Sequence, residues 1–159
     1  MDFNIRLATK SDMSSVLDHI NALAIYEKEP DAVLVTVEEL QENGFGENPL
    51  FTCFVAEHEN NIIGIALCYL RFSTWKGKTL HLEDLIVSES YRGSGAGGKL
   101  LDEVIKLGHS LKVRRICWEV LDWNTNAIAF YEKKGAAILK EWYLAQMDEK
   151  AISNYIKSI

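Results

Sequence analysis

Residues 3–8 (F-N-I-R-L-A) alternate apolar and polar side chains, the period of a half-buried strand. The period then lengthens. Val16, Leu17, Ile20, Leu23 and Ala24 recur at helical spacing, behind a Thr9–Asp12 capping box with Asp in place of Glu. This predicts a helix from about Ser11 to Tyr26, broken by Glu29-Pro30-Asp31. A second capping box, Thr36 and Glu39, opens a short helix that should stop at Asn43-Gly44. Residues 51–58 and 62–72 are apolar, strand-like runs around Glu59-Asn60-Asn61 and predict an antiparallel hairpin. Trp75 to Lys78 turns the chain into a further strand over residues 79–87. Leu100, Leu101, Val104, Ile105 and Leu107 give one apolar face to a helix over 96–110. Residues 114–121 read as strand, Asn124 caps a helix that runs to about Lys134, and Gly135 stops it. Residues 137–147 are strand-like and 149–156 form a terminal helix.

The order β-α-α-β-β-β-α-β-α-β places this chain in the α/β class with a mixed sheet. Short turns make the early strands antiparallel. The helix between the strands at 79–87 and 114–121 makes that pair parallel. Helices should cover both faces. No repeat, low-complexity run or linker interrupts the 159 residues, so the expectation is one domain, 1–159.

Composition narrows the partners. Hydrophobic residues make up 48% and charged residues 25%, a soluble globular balance, and no apolar run reaches membrane-spanning length. The N-terminus lacks the basic and apolar regions of a signal peptide, so a cytoplasmic protein without membrane association is expected. Cys53, Cys68 and Cys117 stand singly inside apolar runs, which suits reduced, buried thiols and supplies neither a disulfide framework nor metal spacing. The net charge is −6, and nine carboxylates against one lysine lie between Glu27 and Glu59. A nucleic-acid partner is disfavoured, because a phosphate backbone calls for a basic face. An acidic lobe attracts cations, although it also serves as a solvated face.

The chemistry concentrates in residues 79–101, T-L-H-L-E-D-L-I-V-S-E-S-Y-R-G-S-G-A-G-G-K-L-L. A glycine turn that opens a helix offers unpaired N–H groups and a positive dipole end to a phosphate. Three motifs compete for it: G-x-G-x-x-G at Gly93, Gly95 and Gly98; most of a P-loop at Gly93, Gly98 and Lys99; and R-x-x-G-x-G at Arg92, Gly95 and Gly97. Leu100 stands where a P-loop needs a magnesium-holding Ser or Thr, which weighs against a nucleotide-triphosphate enzyme. Ser88 to Arg92 separate the glycines from their strand, where a dinucleotide fingerprint would follow directly. The third motif survives.

Downstream, Asn124-x-x-Ala127-x-x-Phe130-Tyr131-x-x-x-Gly135-Ala136 completes a pattern that resembles the GNAT family of acetyl-CoA-dependent N-acetyltransferases. Within it the chain is most similar to the spermidine/spermine (diamine) and thialysine acetyltransferases. Ala24-Ile25-Tyr26-Glu27, Gly44 to Pro49, Leu82-Glu83-Asp84-Leu85, Tyr91 to Gly95 and Asp122-Trp123-Asn124 carry that finer likeness.

The resemblance implies a sheet whose central parallel strands splay apart, with acetyl-CoA in the opening. Its pantetheine arm would bind the backbone of Leu85, Ile86 and Val87. The N–H groups of the turn Arg92, Gly93, Ser94, Gly95, Ala96, Gly97 and Gly98 would hold the pyrophosphate, and Asn124, Thr125, Asn126 and Ala127 the pantetheine. Lys99, Lys133 and Lys134 could meet the 3′-phosphate. Tyr131 would protonate the leaving thiolate, or merely pack and hydrogen-bond. Glu83 would take the amine's proton, or hold it as a charge partner, and would face the opening if Asp84 points the other way. A free alkyl amine is protonated at neutral pH, so some group must remove that proton. Tyr26, Glu27, Trp118 and Glu119 would line the acceptor pocket, with Trp123 at its rim and Trp142 closing it. His81 is a conceivable base but reads as structural. The resemblance further implies a small-molecule amine as substrate, a diamine or polyamine first and a thialysine-type amino acid second, with no metal, and a homodimer with the C-terminal segment as exchange element. The rival reading is a non-catalytic acyl-CoA sensor. An amino-acid acceptor would need a partner for its carboxylate, and Arg71 is available.

Overall fold

In the computed structural model, which describes residues 2–159, the chain divides into two compact units, one running to Glu119 and one from Val120 to Ile159. The first holds a five-stranded sheet of order β1-β2-β3-β4-β5: β1 (Asn4–Leu7), β2 (Thr52–His58), β3 (Asn61–Ser73), β4 (Gly77–Val87) and β5 (Ile116–Cys117). Helices α1 (Met13–Tyr26), α2 (Val37–Phe45) and α3 (Ala96–Ser110) belong to the same unit. The first four strands are antiparallel neighbours, and β4 and β5 are parallel, as the crossover through α3 requires. The expected mixed α/β sheet is therefore present.

Local signals act where expected. Glu59 (φ 49°) and Asn60 (φ 62°) make the two-residue turn that matches strand twist between β2 and β3. The Thr36 side chain accepts from the Glu39 N–H at 3.2 Å, and the Glu39 carboxylate accepts from the Thr36 N–H at 2.8 Å. α1 and α2 give Met13, Val16 and Leu40 to a core with Cys53, Val55, Ile65, Leu67 and Ile86 of the sheet. Leu100, Leu101 and Val104 of α3 are fully buried, as are Leu80 and Leu82 of β4. Burial pushes the Cys53 thiol to about 12 and Cys68 to about 11, which leaves both unreactive.

Two strand expectations are corrected. The strand foreseen over 114–121 shrinks to Ile116–Cys117, paired only as Leu80↔Ile116 and His81↔Cys117. Residues 137–147 form no strand. Apolar and aromatic content makes a segment suitable for a ladder, but a ladder needs a partner edge, and none is paired with this segment among the described residues. Its Trp142, Tyr143 and Leu144 are exposed at 70%, 96% and 73%.

The second unit contains α4 (Thr125–Lys133) and α5 (Glu149–Ser158). Asn124 caps α4 as expected, its Oδ1 accepting from the Ala127 N–H at 3.3 Å. Gly135 ends it at φ 91°. No helix among the described residues is long and apolar enough to cross a membrane.

Candidate active site

The β3–β4 ladder contains the deciding irregularity. Ala66 pairs with Leu85 and Leu67 with Asp84, but the next partner of Cys68 is Leu82. Glu83 is the extra residue of a β-bulge. A bulge adds a residue to one strand, bends it and re-aims side chains. Here it corrects the expectation that Asp84 points away from Glu83. Asp84 shares its face with Leu67 of the α1–α2 core, while Glu83 accepts a hydrogen bond from the Tyr69 hydroxyl at 2.8 Å.

Past the bulge, β4 loses its neighbour. Its pairing with β5 ends at His81, and from Leu82 to Val87 no strand is laddered to that edge among the described residues. Leu85, Ile86 and Val87, expected to receive an extended ligand arm, lie in this stretch.

His81, 3% exposed, organises the polar side chains around the bulge. Arg71 Nη1 lies 2.9 Å from His81 Nδ1. Arginine carries no acceptor, so Nδ1 must accept and the ring proton sits on Nε2. Nε2 lies 3.2 Å from the Glu119 carboxylate and 3.4 Å from the Glu83 carboxylate. Thus β5's end and β4's bulge bring Glu83 and Glu119 to one imidazole. His81 is their shared neighbour, a placement the sequence reading did not foresee. Tyr69 was also missed. Burial first, then its bond to Glu83, raises the phenol to about 12 and keeps it a donor. The available signal was the alternation of polar residues Tyr69 and Arg71 on one strand with Thr79 and His81 on the next, partners in the ladder register.

Deeper on the same face, Asp84 is raised to about 6, by burial first and then by Glu83 and Glu27. Burial also raises Glu27, the residue that caps the C-terminus of α1. Asp84 thus lies within the electrostatic reach of both Glu83 and Glu27. The Tyr26 ring lies under the Arg92 guanidinium, 4.9 Å from Arg92 Cζ to the ring centroid. Trp118 is half-buried beside Glu119 in sequence.

The glycine turn fits an anion. Gly93 (φ 78°) and Gly95 (φ 90°) adopt the left-handed conformation, and Gly95 caps α3. A Cβ at either would meet nothing within 4 Å, so backbone conformation, not crowding, demands glycine there. Ala96, Gly97 and Gly98 form the first turn of α3, whose N–H groups lack acceptors four residues back. Thr125, Asn126 and Ala127 open α4 in the second unit, and Tyr131 is buried there at 8% exposure. Among the described residues no cluster of three His, Cys, Asp or Glu side chains could hold a metal ion.

Residues 16–136 match the Acetyltransferase (GNAT) family. The chain belongs to that family. The enzyme is 36% identical to the thialysine N-epsilon-acetyltransferase of Sus scrofa over 93% of its own length and 94% of that protein's. It is 31% identical to human spermidine/spermine N(1)-acetyltransferase-like protein 1 over 94% of its length, which is 23% of that longer protein. Among solved structures it is similar to an integron cassette protein from the mobile metagenome of V. cholerae, with TM-score 0.80, 21% identity and 99% of each chain covered. The last likeness concerns the fold alone. The relatives are named N-acetyltransferases, and the enzyme is one of that kind; the family takes acetyl-CoA as co-substrate.

Proposed function

We propose that the enzyme transfers the acetyl group of acetyl-CoA to a primary amine of a small cationic acceptor by direct attack on the thioester. The observation that carries this is the pair Glu83 and Glu119 at one imidazole, beside the unladdered edge of β4. Two carboxylates bind the acceptor's ammonium, and Glu83 receives its proton directly or through one water. The backbone of Leu85 to Val87 lies along the pantetheine arm. Its N–H near Leu85 stabilises the developing oxyanion, an effect on the order of 3–4 kcal/mol for one such donor. The N–H groups from Gly93 to Gly98 take the pyrophosphate, with Arg92 as added positive charge. Asn124 to Ala127 hold the pantetheine, and Tyr131 protonates the departing sulfur. Tyr26, Glu27 and Trp118 complete the acceptor's surroundings. The family match runs across the boundary between the two units, which supports reading the whole chain as one acetyltransferase domain.

Two acceptor classes compete. A diamine or polyamine is favoured by the accumulation of Glu27, Glu83 and Glu119. A lysine-like amino acid such as thialysine is favoured by the relative from Sus scrofa and by the guanidinium of Arg71 in the same cluster. We adopt the amino acid as the better reading. The reading includes a homodimer, supported by the exposed apolar side chains of the second unit, among them Leu139, Trp142, Leu144 and Ile156. A thiol-release assay with lysine, thialysine, putrescine, spermidine and spermine tests the activity. Acetyl-CoA-dependent turnover of at least one amine is expected. Binding of acetyl-CoA with no turnover of any amine would sink the enzymatic reading in favour of a sensor.

A further inference from the structure

Arg71 is the one positive side chain in the group that contains Tyr69, His81, Glu83 and Glu119, and it is exposed. A guanidinium offers a carboxylate a planar fork, yet this one pairs with neither Glu83 nor Glu119. Among the described residues Arg71 makes no ion pair; its one side-chain bond is the donation to His81 Nδ1. The imidazole stands between the charges. It accepts from the cation on one ring nitrogen, and both carboxylates lie near the other. The ring is 3% exposed, and His81 is laddered on both sides, to Tyr69 of β3 and Cys117 of β5. The remaining N–H donors of Arg71 therefore stay available for an anion that does not belong to the protein.

The result is a dipolar surface with carboxylates at one end, a guanidinium at the other, and a rigid spacer between. A diamine or polyamine has no use for the cationic end. Its second ammonium, if it lay along this surface, would meet Arg71 and be repelled. An α-amino acid with an amine at the end of its side chain matches both ends: side-chain ammonium to Glu83 and Glu119, α-carboxylate to Arg71. The separation across one imidazole is comparable with the reach of a lysine side chain.

We propose that Arg71 is the specificity-determining residue of this acceptor site: it binds the α-carboxylate of a lysine-like amino acid and excludes diamines by repulsion. His81 holds it apart from the site's own carboxylates. The proposal rests on the acetyltransferase reading above. Specificity of this kind is a difference of affinities, and the repulsive element contributes as much as the attractive one.

The matched pair lysine and cadaverine, which differ only in the carboxylate, isolates the effect. Thialysine and its decarboxylated diamine form a second pair. For the native enzyme kcat/KM should favour the amino acid in each pair. In Arg71→Ala the amino acid should lose at least tenfold in kcat/KM, mostly through KM, while the diamine stays level or improves. Arg71→Lys should restore part of the preference, because it keeps the charge and loses the fork. Calorimetric binding of lysine and cadaverine to the CoA-loaded protein should show the same reversal without turnover. A thermal melt confirms that the variants fold; a variant that fails to fold leaves Arg71→Lys and the native-enzyme pair as the deciding data. Equal losses for both members of a pair, or a native enzyme that prefers the diamines, would overturn the proposal. Turnover of no amine at all would overturn the acetyltransferase reading instead, so the two failures are distinguishable.

Discussion

Arg6 on β1 and Arg71 on β3 lie in one sheet, and each has two carboxylates close by. Arg6 reaches both of its own: Nη1 meets Asp12 Oδ2 at 2.7 Å, and Nε donates to the Glu57 carboxylate. The three charges close on one another. Arg6 is raised above its ordinary value, first by the bond to Asp12 and then by that to Glu57, and Asp12 is lowered to about 2, chiefly by Arg6. Arg71 reaches neither Glu83 nor Glu119; its one side-chain bond among the described residues goes to His81, which stands between. The same three charge types thus make a strut in one place and an open site in the other. The difference is an imidazole and a bulge. Self-satisfied charges stabilise; charges kept apart are available to a ligand.

The largest effect should come from the open cluster. Glu83→Gln keeps the acceptor for the Tyr69 hydroxyl but removes the negative charge and the proton acceptor. Turnover should fall by about a hundredfold or more, as for loss of a general base. The melting temperature should barely move; a large drop in it would mean that Glu83 is a strut like Arg6's partners.

Asp84→Asn probes the cost of keeping the cluster acidic. A carboxyl raised to about 6 leaves the native state holding an extra proton between the ordinary aspartate range and about 6. Native stability therefore falls as pH rises through that window, and the cost is fully present above it. Removing the charge should stabilise the protein at about pH 8 by at most about 3 kcal/mol. Denaturant unfolding at acidic and alkaline pH measures it. An unchanged slope across the window would refute the assignment.

Arg6→Ala should cost about 1–2 kcal/mol, since it removes the cation that Asp12 and Glu57 share, although Thr9 still donates to Asp12, and turnover per folded molecule should stay at the native level. Loss of activity without loss of stability would erase the contrast between the two arginines. Tyr131→Phe should lower turnover about tenfold in the chemistry-limited regime while acetyl-CoA affinity changes little. Equal turnover of the two proteins would leave the tyrosine a packing role only.

The smallest effect concerns the strut's own titration. Asp12 is depressed, so its contribution is present above the ordinary aspartate pKa and is lost as pH falls toward about 2. Solvent screening limits it to about 1 kcal/mol. Acid unfolding of Asp12→Asn should lack this component.

Much of this was legible because it depends on neighbours in sequence. The capping boxes, the Asn124 cap, the hairpin turn and the amphipathic face of α3 each follow from residues within a few positions. The glycine turn was likewise readable, since left-handed φ at Gly93 and Gly95 is a local demand. The segment misjudged at 137–147 has the apolar and aromatic content of a strand, but pairing is a property of two segments. Composition of one cannot supply the other.

The sequence by itself determined the family, the order of elements through α4 and the presence of Glu83, Glu119 and Tyr131. Tertiary structure alone decided what those residues face. The bulge at Glu83 shifts register by one residue, and a one-residue shift changes which side chains share a face. No local pattern marks it, because it arises between β3 and β4. The same pairing brings Arg71 to His81, ten residues along the chain and 2.9 Å in space. It thereby turns an available arginine into one held apart from the carboxylates beside it.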